Sequence, residues 1–267
     1  RLNPKFFQML DRKMDYAFAH GFVVFIETLR RDITKYLAAY YGHTNPDLAK
    51  NATFHFIRHI FARYQADPVV LGIIHFDIFN QSSLRPEELR VPLDGYFQKY
   101  GDPPFGQLVT TNVAGSTYRV WGHTDRTPWI TMHQTGNTPR SHLITDFIVE
   151  MFRLARPIPI YSQEPWYIHD DTPEERRRFR STMYGSLLSG ALVGVSYQAQ
   201  GVTRGIREPN RQFPMMWEAI QWQSANEAVM AREFLLADQP AREVGVDREL
   251  LAGHGVQGEA GRDLGDA

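Results

Sequence analysis

Short apolar runs alternate along this chain with longer segments whose apolar residues return every three to four positions, which predicts strands separated by helices. Residues 3–20 are helical in pattern. Phe6, Met9, Leu10, Met14 and Ala17 carry the periodicity, Asn3 is the N-cap residue, Pro4 takes the first helical position, and Gly21 stops the helix. Residues 22–26, Phe-Val-Val-Phe-Ile, then form a short apolar, β-branched run ended by Glu27 and Thr28, as expected of a strand buried on both faces. The alternation recurs. A helical segment over 51–64 leads through Asp67-Pro68 into the run Val69–Phe76 and then Asp77. A helix over Pro86–Tyr100 is followed by strand candidates at 108–113 and 129–133. An amphipathic helix over 141–155 precedes the run 158–163 and Glu164, and a helix over Pro173–Ser189 precedes 191–197. A last helical stretch covers 213–237.

Strands written as near-continuous apolar runs between helices imply an α/β fold with a parallel sheet covered by helices. No strand-to-helix turn carries the Gly-rich phosphate loop of a dinucleotide fold. Polar or acidic residues instead end strand after strand, and active sites of (β/α)8 TIM-type barrels are built at those strand ends. The expectation is therefore a single barrel domain over residues 1–239. From Pro240 onward Gly, Ala, Asp, Glu and Arg dominate, so 240–267 is expected to be a tail, with one helix over 242–251 and a frayed or disordered end beyond His254.

Composition narrows the function classes. With 43% hydrophobic residues the chain can build a large core, and a formal net charge of −1 supplies no concentrated positive field for nucleic acid or an anionic membrane surface. There are no cysteines, so disulfides, thiolate catalysis and cysteine-bound metals are out. No apolar run reaches the roughly 18 residues of a membrane span, and the chain opens on Arg1 without a signal-peptide pattern.

Two acids stand out by position. Asp77 and Glu164 each follow a buried apolar strand, which would hold them at one end of a rigid barrel. Cleavage of a glycosidic bond takes two carboxyl groups, one to protonate the leaving oxygen and one to attack the anomeric carbon or activate water. The bland alternative is that a strand-end acid, one of 30 acidic residues, caps a helix or pairs with an arginine. Trp166 and Tyr167 after Glu164, Trp121 and Trp129 around the middle strands, and His133-Gln134 supply the aromatic, imidazole and amide groups that suit a sugar's apolar faces and hydroxyls; each could equally be packing.

These residues sit in a set of blocks that resembles the apiosidase-like glycoside hydrolases, a barrel family. Asn3-Pro4-Lys5-Phe6-Phe7 with Asp15 and Ala17, Ala62-Arg63-Tyr64 through Pro68-Val69-Val70, Trp129 through Gly136, Pro157 through Tyr167 and Tyr184 through Gly201 match it in family order over residues 3 to 237. The resemblance implies that Asp77 is the carboxyl group at the family's fourth strand and Glu164 the one at its seventh, here read as general acid/base and nucleophile respectively. It also implies that His133, Gln134, Trp166, Tyr167, Tyr197 and Gln200 line the sugar pocket, that Arg180 either orients Glu164 or faces solvent, and that the protein is exported from a bacterium. The expected partner is a carbohydrate, a plant- or algal-type polysaccharide or oligosaccharide, and no metal or organic cofactor is required. The family's first two strands should precede Asn3, so the resemblance further implies a truncated barrel with six of eight strands and an open seam.

Departures from the family pattern bear on activity and substrate. His75 and Phe76 replace the usual glycines before Asp77, Gln198 stands where a glycine is usual, and Asn112 where a histidine is. They motivate a second reading, a carbohydrate-binding barrel that does not cleave. A third is a metal-dependent hydrolase on His55 and His59, which have the spacing of a zincin pair but Phe56 where its glutamate belongs. Glu174-Glu175 followed by three arginines is read as a solvated helix start, Arg30-Arg31 as a surface pair able to reach an acidic sugar, and Ser181 and Ser186 lack a nucleophile elbow.

Overall fold

Asn3 starts the first helix as expected: its side chain accepts from the backbone N–H of Lys5, Pro4 fills the first turn, and α1 runs Pro4–Ala19 before Gly21 turns the chain at φ 74°. The computed structural model describes residues 2–28, 45–76, 86–136, 141–209 and 211–237. Helix α2 (Ala52–Tyr64) is capped by Asn51, whose side-chain oxygen accepts from Phe54 N–H at 2.9 Å. Asp11 of α1 takes hydrogen bonds from Arg63 and from Tyr64 Oη. Arg63 therefore holds the Asp11 carboxyl below its usual range, and the Ala62-Arg63-Tyr64 block serves to lock α1 onto α2.

Strands β1 (Val24–Glu27), β2 (Val69–Phe76) and β3 (Val109–Val113) form one parallel sheet in that order, with Val24 opposite Val69 and Glu27 opposite Gly72. Between β2 and β3 the ladder carries an irregularity from Gly72 to His75 of β2. Helix α3 (Pro86–Tyr100) separates β2 from β3, and the short helix α4 (Thr117–Trp121) follows β3. Strands β4 (His133–Thr135), β5 (Ile160–Ser162) and β7 (Gly194–Val195) form a second parallel sheet, with helix α5 (Ser141–Phe152) after β4 and α6 (Pro173–Ser189) before β7. The two sheets join edge to edge. Thr131 and Met132 N–H both donate to Val109 O, and an antiparallel bridge pairs Ser116 with Thr135. Among the described residues the two parallel sheets thus follow one another in chain order, β1-β2-β3 and then β4-β5-β7, with no point where the order reverses. A small third pair, β6 (Tyr167–Ile168) and β8 (Gln198–Ala199), is followed by the helices α7 (Gln200–Thr203), α8 (Met216–Ala219) and α9 (Gln223–Ala237).

The helices cover one side of these strands. Phe7 and Met14 of α1, Ile57, Ile60 and Phe61 of α2, and Leu89 and Leu93 of α3 bury against Leu71, Val109 and Val113, while Ile144, Ile148 and Met151 of α5 bury against Ile160. Trp121 and Trp129, 1% and 2% exposed, belong to this core: their rings meet edge to face at 5.4 Å, and Trp129 Nε1 donates to Asp94 at 2.7 Å. They are packing residues and offer no platform to a sugar.

Four expectations are corrected. The first strand is not buried on both faces; Val24 and Ile26 are half-buried while Phe25 and Glu27 are exposed, because only the Val24/Ile26 face meets the helices and, among the described residues, β1 pairs on one side only. The fourth strand begins at His133 rather than at Trp129, since the segment before it turns back to hydrogen-bond across to Val109. The run 191–197 yields only Gly194–Val195 as strand, with Gly190 at φ 119° and Gly194 at φ 140° bending the approach. The last helical stretch is two helices, α8 and α9, the latter capped by Asp171, which accepts from Gln223 and Ser224 N–H. The chain divides into two compact units, Arg1–Ala228 and Val229–Ala267. The expected tail over 240–267 lies outside the described residues. Among the described residues no helix is long and apolar enough to cross a membrane.

Candidate active site at the carboxyl ends of the parallel strands

Asn112 Nδ2 on β3 and Gln163 Nε2 just after β5 both donate to one atom, Glu27 Oε1 at the end of β1, at 3.1 and 3.2 Å. Two residues earlier on the same strand faces, the rings of Phe25 and Tyr161 meet with centroids 5.0 Å apart. β1 and β5 are separated by three strands in the sheet order, so these contacts require the sheet to curl and bring its inner face together. Tyr161 lies opposite Gln134 on one side and Gly194 on the other, which puts the Gln134 side chain on that inner face too. Burial pushes the Tyr161 phenol pKa up, opposed by its hydrogen bond with Ser196.

Backbone contacts hold this end rigidly. Thr117 Oγ1 lies 3.1 Å from Thr111 O and 3.0 Å from Gln134 O, able to donate to either, and accepts from Gln134 N–H, so one hydroxyl ties β3 to β4. Gln163 N–H donates to Thr135 O at 3.1 Å, while Ser196 Oγ and Gln198 Nε2 both donate to Gln163 O. A buried hydroxyl chain, Thr135–Ser162–Ser186, links β4, β5 and α6 on the opposite, helix-covered face. Ser186 is spoken for there.

Glu164 directly follows this anchored Gln163. It is 7% exposed, and its Oε2 has no donor among the described residues. The same is true of Asn112 Oδ1, Gln134 Oε1, Gln163 Oε1 and Gln198 Oε1. The amide orientations of Asn112, Gln163 and Gln198 follow from their partners, since an amide facing a carboxylate or carbonyl must present its NH2 and turn its oxygen away. Buried acceptors without donors each cost about 1–3 kcal/mol and persist where something other than stability is being served. What this cluster lacks is hydrogen-bond donors.

The structure brings Gln134 and Glu164 to this end of the strands and engages most of the other predicted site residues in contacts of their own. Asp77 follows the last residue of β2 and lies outside the described residues, as do Arg30-Arg31. His133 alternates with Gln134 and turns to the helix side, fully buried, its Nε2 3.2 Å from His123 Nδ1 and its ring beside Tyr118. Trp166 donates Nε1 to Glu175 at 3.1 Å under the Arg178 guanidinium, which ties it to the start of α6. Tyr167 is half-buried in β6. Tyr197 donates from Oη to Ala219 O at 2.9 Å and meets Phe179 edge to face. Gln200 Oε1 accepts from Arg204 at 2.7 Å. Arg180 neither orients Glu164 nor stands free; it pairs with Glu227 at 2.6 Å. Glu174 and Glu175 occupy the first turn of α6 and pair with Arg178. His55 is held by Ala49 O at 2.8 Å and His59 packs on Phe7, so the would-be zincin pair is split between two structural contacts. A cavity of about 540 Å³ near His59, lined also by Arg58, Tyr96, Tyr100 and Asp102, opens where helices lead into strands, the end away from Glu164. Glu27 was the residue that the sequence did not single out, although it shares with Asp77 and Glu164 the position at a strand end.

His133 yields a pH prediction. His123 Nε2 faces Arg156 O at 2.9 Å and must donate to it, so in that tautomer His133 Nε2–H donates to His123 Nδ1 and His133 Nδ1 is the orphaned atom. Burial, reinforced by His123, lowers the His133 pKa to about 4. The unfolded chain takes up this proton near 6.5, so between 6.5 and 4 the unfolded state binds more protons and stability falls as pH falls. The loss should be on the order of 3 kcal/mol across that window. Urea midpoints from pH 7 to pH 4.5 should drop more for the wild type than for His133→Phe; parallel curves would rule the assignment out.

A sequence model of the apiosidase-like catalytic domain matches residues 1–241 of the chain. No curated protein matches it.

Proposed function

This chain belongs to the apiosidase-like family of catalytic domains, which suggests a glycoside hydrolase, and from that premise we propose that it cleaves a glycosidic bond in a plant- or algal-type polysaccharide or oligosaccharide with Asp77 and Glu164 as its carboxyl pair. The observation that carries the reading is Glu164: a buried carboxyl with an undonated oxygen, next to the inner-face cluster of Glu27, Asn112 and Gln163. Six parallel strands in chain order, curled so that β1 touches β5, support a (β/α) barrel as the scaffold, with the site at the carboxyl ends where barrel enzymes keep theirs. Asp77, one residue past β2, is the general acid/base in this reading and Glu164 the nucleophile. The glycosidic oxygen leaves with the proton of Asp77 as Glu164 bonds to the anomeric carbon; water, deprotonated by Asp77, then releases the sugar with its configuration retained. Gln134 faces the same pocket, while His133 is assigned to packing. Trp166 and Tyr167, adjoining Glu164 in the chain, wall the pocket, and Tyr197 and Gln200 support it through Ala219 and Arg204.

Gln198 motivates a second reading. Where the family has glycine, its amide reaches the carbonyl beside Glu164, at 2.7 Å from Gln163 O, which a protein that binds sugar without cleaving it could tolerate. Assays on a panel of para-nitrophenyl glycosides separate the two. Release of nitrophenol that Asp77→Asn and Glu164→Gln both abolish supports the hydrolase, and saturable sugar binding with no release supports the binding protein. The anomer first formed, followed by proton NMR, tests retention.

A further inference from the structure

Glu27 belongs to no part of the carboxyl pair, yet it is the hub of the cluster. It stands exposed at the end of β1, and one of its oxygens receives amides from β3 and from the end of β5, residues 85 and 136 positions away. An exposed carboxylate gains little from a pair of neutral donors, so stability alone is a weak reason for the arrangement. Its geometric consequence is larger. With both NH2 groups turned to Glu27, Asn112 Oδ1 and Gln163 Oε1 are turned away from it, and these two atoms are buried with no donor among the described residues. Glu164 Oε2, likewise buried without a donor among the described residues, belongs to the residue next to Gln163. Three arginines of the neighbouring α6 and α7 region, Arg178, Arg180 and Arg204, are engaged by Glu174, Glu227 and Gln200, while Arg176 and Arg177 stand in the first turns of α6.

Resting on the glycosidase reading, we infer that Glu27 is a positioning residue that sets Asn112 and Gln163 as hydrogen-bond acceptors, and that the sugar they read is neutral and recognised through its hydroxyl hydrogens. A hydroxyl donates one hydrogen to each acceptor and repairs its missing bond. A sugar carboxylate brings acceptors to acceptors and negative charge toward Glu27 and Glu164, where Arg178, Arg180 and Arg204 are already engaged.

The test uses the whole chain and para-nitrophenyl glycosides of neutral pentoses and hexoses beside the glucuronide and galacturonide. Asn112→Asp sets two carboxyl groups against each other, and Glu27→Ala releases both amides. Each should lower kcat/KM on the neutral glycosides about 30-fold, the loss expected for a hydrogen bond to a charged group, mainly through KM. Glu27→Gln combined with Asn112→Asp exchanges the polarity of the 27–112 pair, so that an amide again faces a carboxylate there. The amide introduced at position 27 gives its NH2 to the carboxylate introduced at position 112, and since both wild-type bonds end on the one atom Oε1, its side chain has to turn for the oxygen to keep Gln163. That double variant should recover most of the activity lost by Asn112→Asp, with KM returning toward the wild-type value, which a purely structural role measured by melting temperature would not require. A double variant no more active than Asn112→Asp, an unchanged KM in Glu27→Ala, or preference of the wild type for the uronides overturns the inference. If the wild type cleaves no glycoside but neutral methyl glycosides quench its tryptophan fluorescence, the hydrolase reading fails and the same variants decide the role of Glu27 from Kd. Neither cleavage nor binding overturns both.

Discussion

Glu164→Gln should lower kcat by about 10³-fold, in the range lost with a positioned catalytic carboxyl group, while leaving the protein as stable as the wild type or slightly more so. The two effects have one cause. Oε2 of Glu164 is buried without a donor among the described residues, an arrangement that costs about 1–3 kcal/mol and that, on the hydrolase proposal, is kept for the reaction. Glutamine has nearly the same shape, removes the capacity for charge, and offers an NH2 to a surrounding rich in unfilled acceptors. A rise of about 1 kcal/mol in unfolding free energy alongside the collapse of kcat is therefore expected. Glu164→Ala should be rescued by azide as a glycosyl azide of inverted configuration if Glu164 is the nucleophile, because the small anion takes the vacated place on that face of the sugar. Near wild-type turnover in Glu164→Gln would remove Glu164 from the chemistry. A stable, correctly folded variant that loses only a few-fold would reduce it to a binding residue.

Gly136→Ala should cost at least about 3 kcal/mol or prevent folding, beyond the usual range for one added methyl in a packed interior. An ideal Cβ at this position would lie 1.5 Å from Val113 O and 2.6 Å from Val113 C. Those are backbone atoms of β3, which has no rotamer to change. Nor can the Gly136 side retreat easily, since its N–H donates to Gly115 O and the adjacent Thr135 bridges Ser116. The only relief is to part β3 from β4 at the end where Asn112 and Gln134 sit, so activity should fall further than stability alone requires. Gly185→Ala is the control: in mid-α6 its nearest neighbour would be Thr145 Oγ1 at 3.3 Å, and alanine favours the helix. Urea unfolding of both variants measures the contrast. A Gly136→Ala protein as stable as Gly185→Ala would mean that the close approach of the two strands is not what holds this end together.

Much of the architecture was readable because it depends on local chemistry. The cap at Asn3, the stop at Gly21 and the span Pro173–Ser189 follow from residues within a turn of one another, and helix α6 begins and ends where that reading put it. The strands of the two parallel sheets likewise fall on the six apolar runs, although the fourth shares only His133 with its run and the last only Gly194 and Val195. Tryptophan was harder. Trp121 and Trp129 look the same in a list of residues whether they stack on a sugar or on each other, and only the positions of α3 and β3 make them core. His133 and Gln134 are neighbours in the chain, but strand alternation sends one to the helices and the other to the inner face.

By itself, then, the sequence determined the alternation of helices and strands, the family, and the strand-end position of Glu164, because periodicity, caps and motif order are properties of neighbouring residues. Tertiary structure alone decided that Glu27 gathers Asn112 and Gln163, that Arg180 is bound to Glu227, and that several amide oxygens face inward undonated. These depend on residues up to 136 positions apart meeting when the sheet curls, and the pattern of one strand carries no record of what stands across from it.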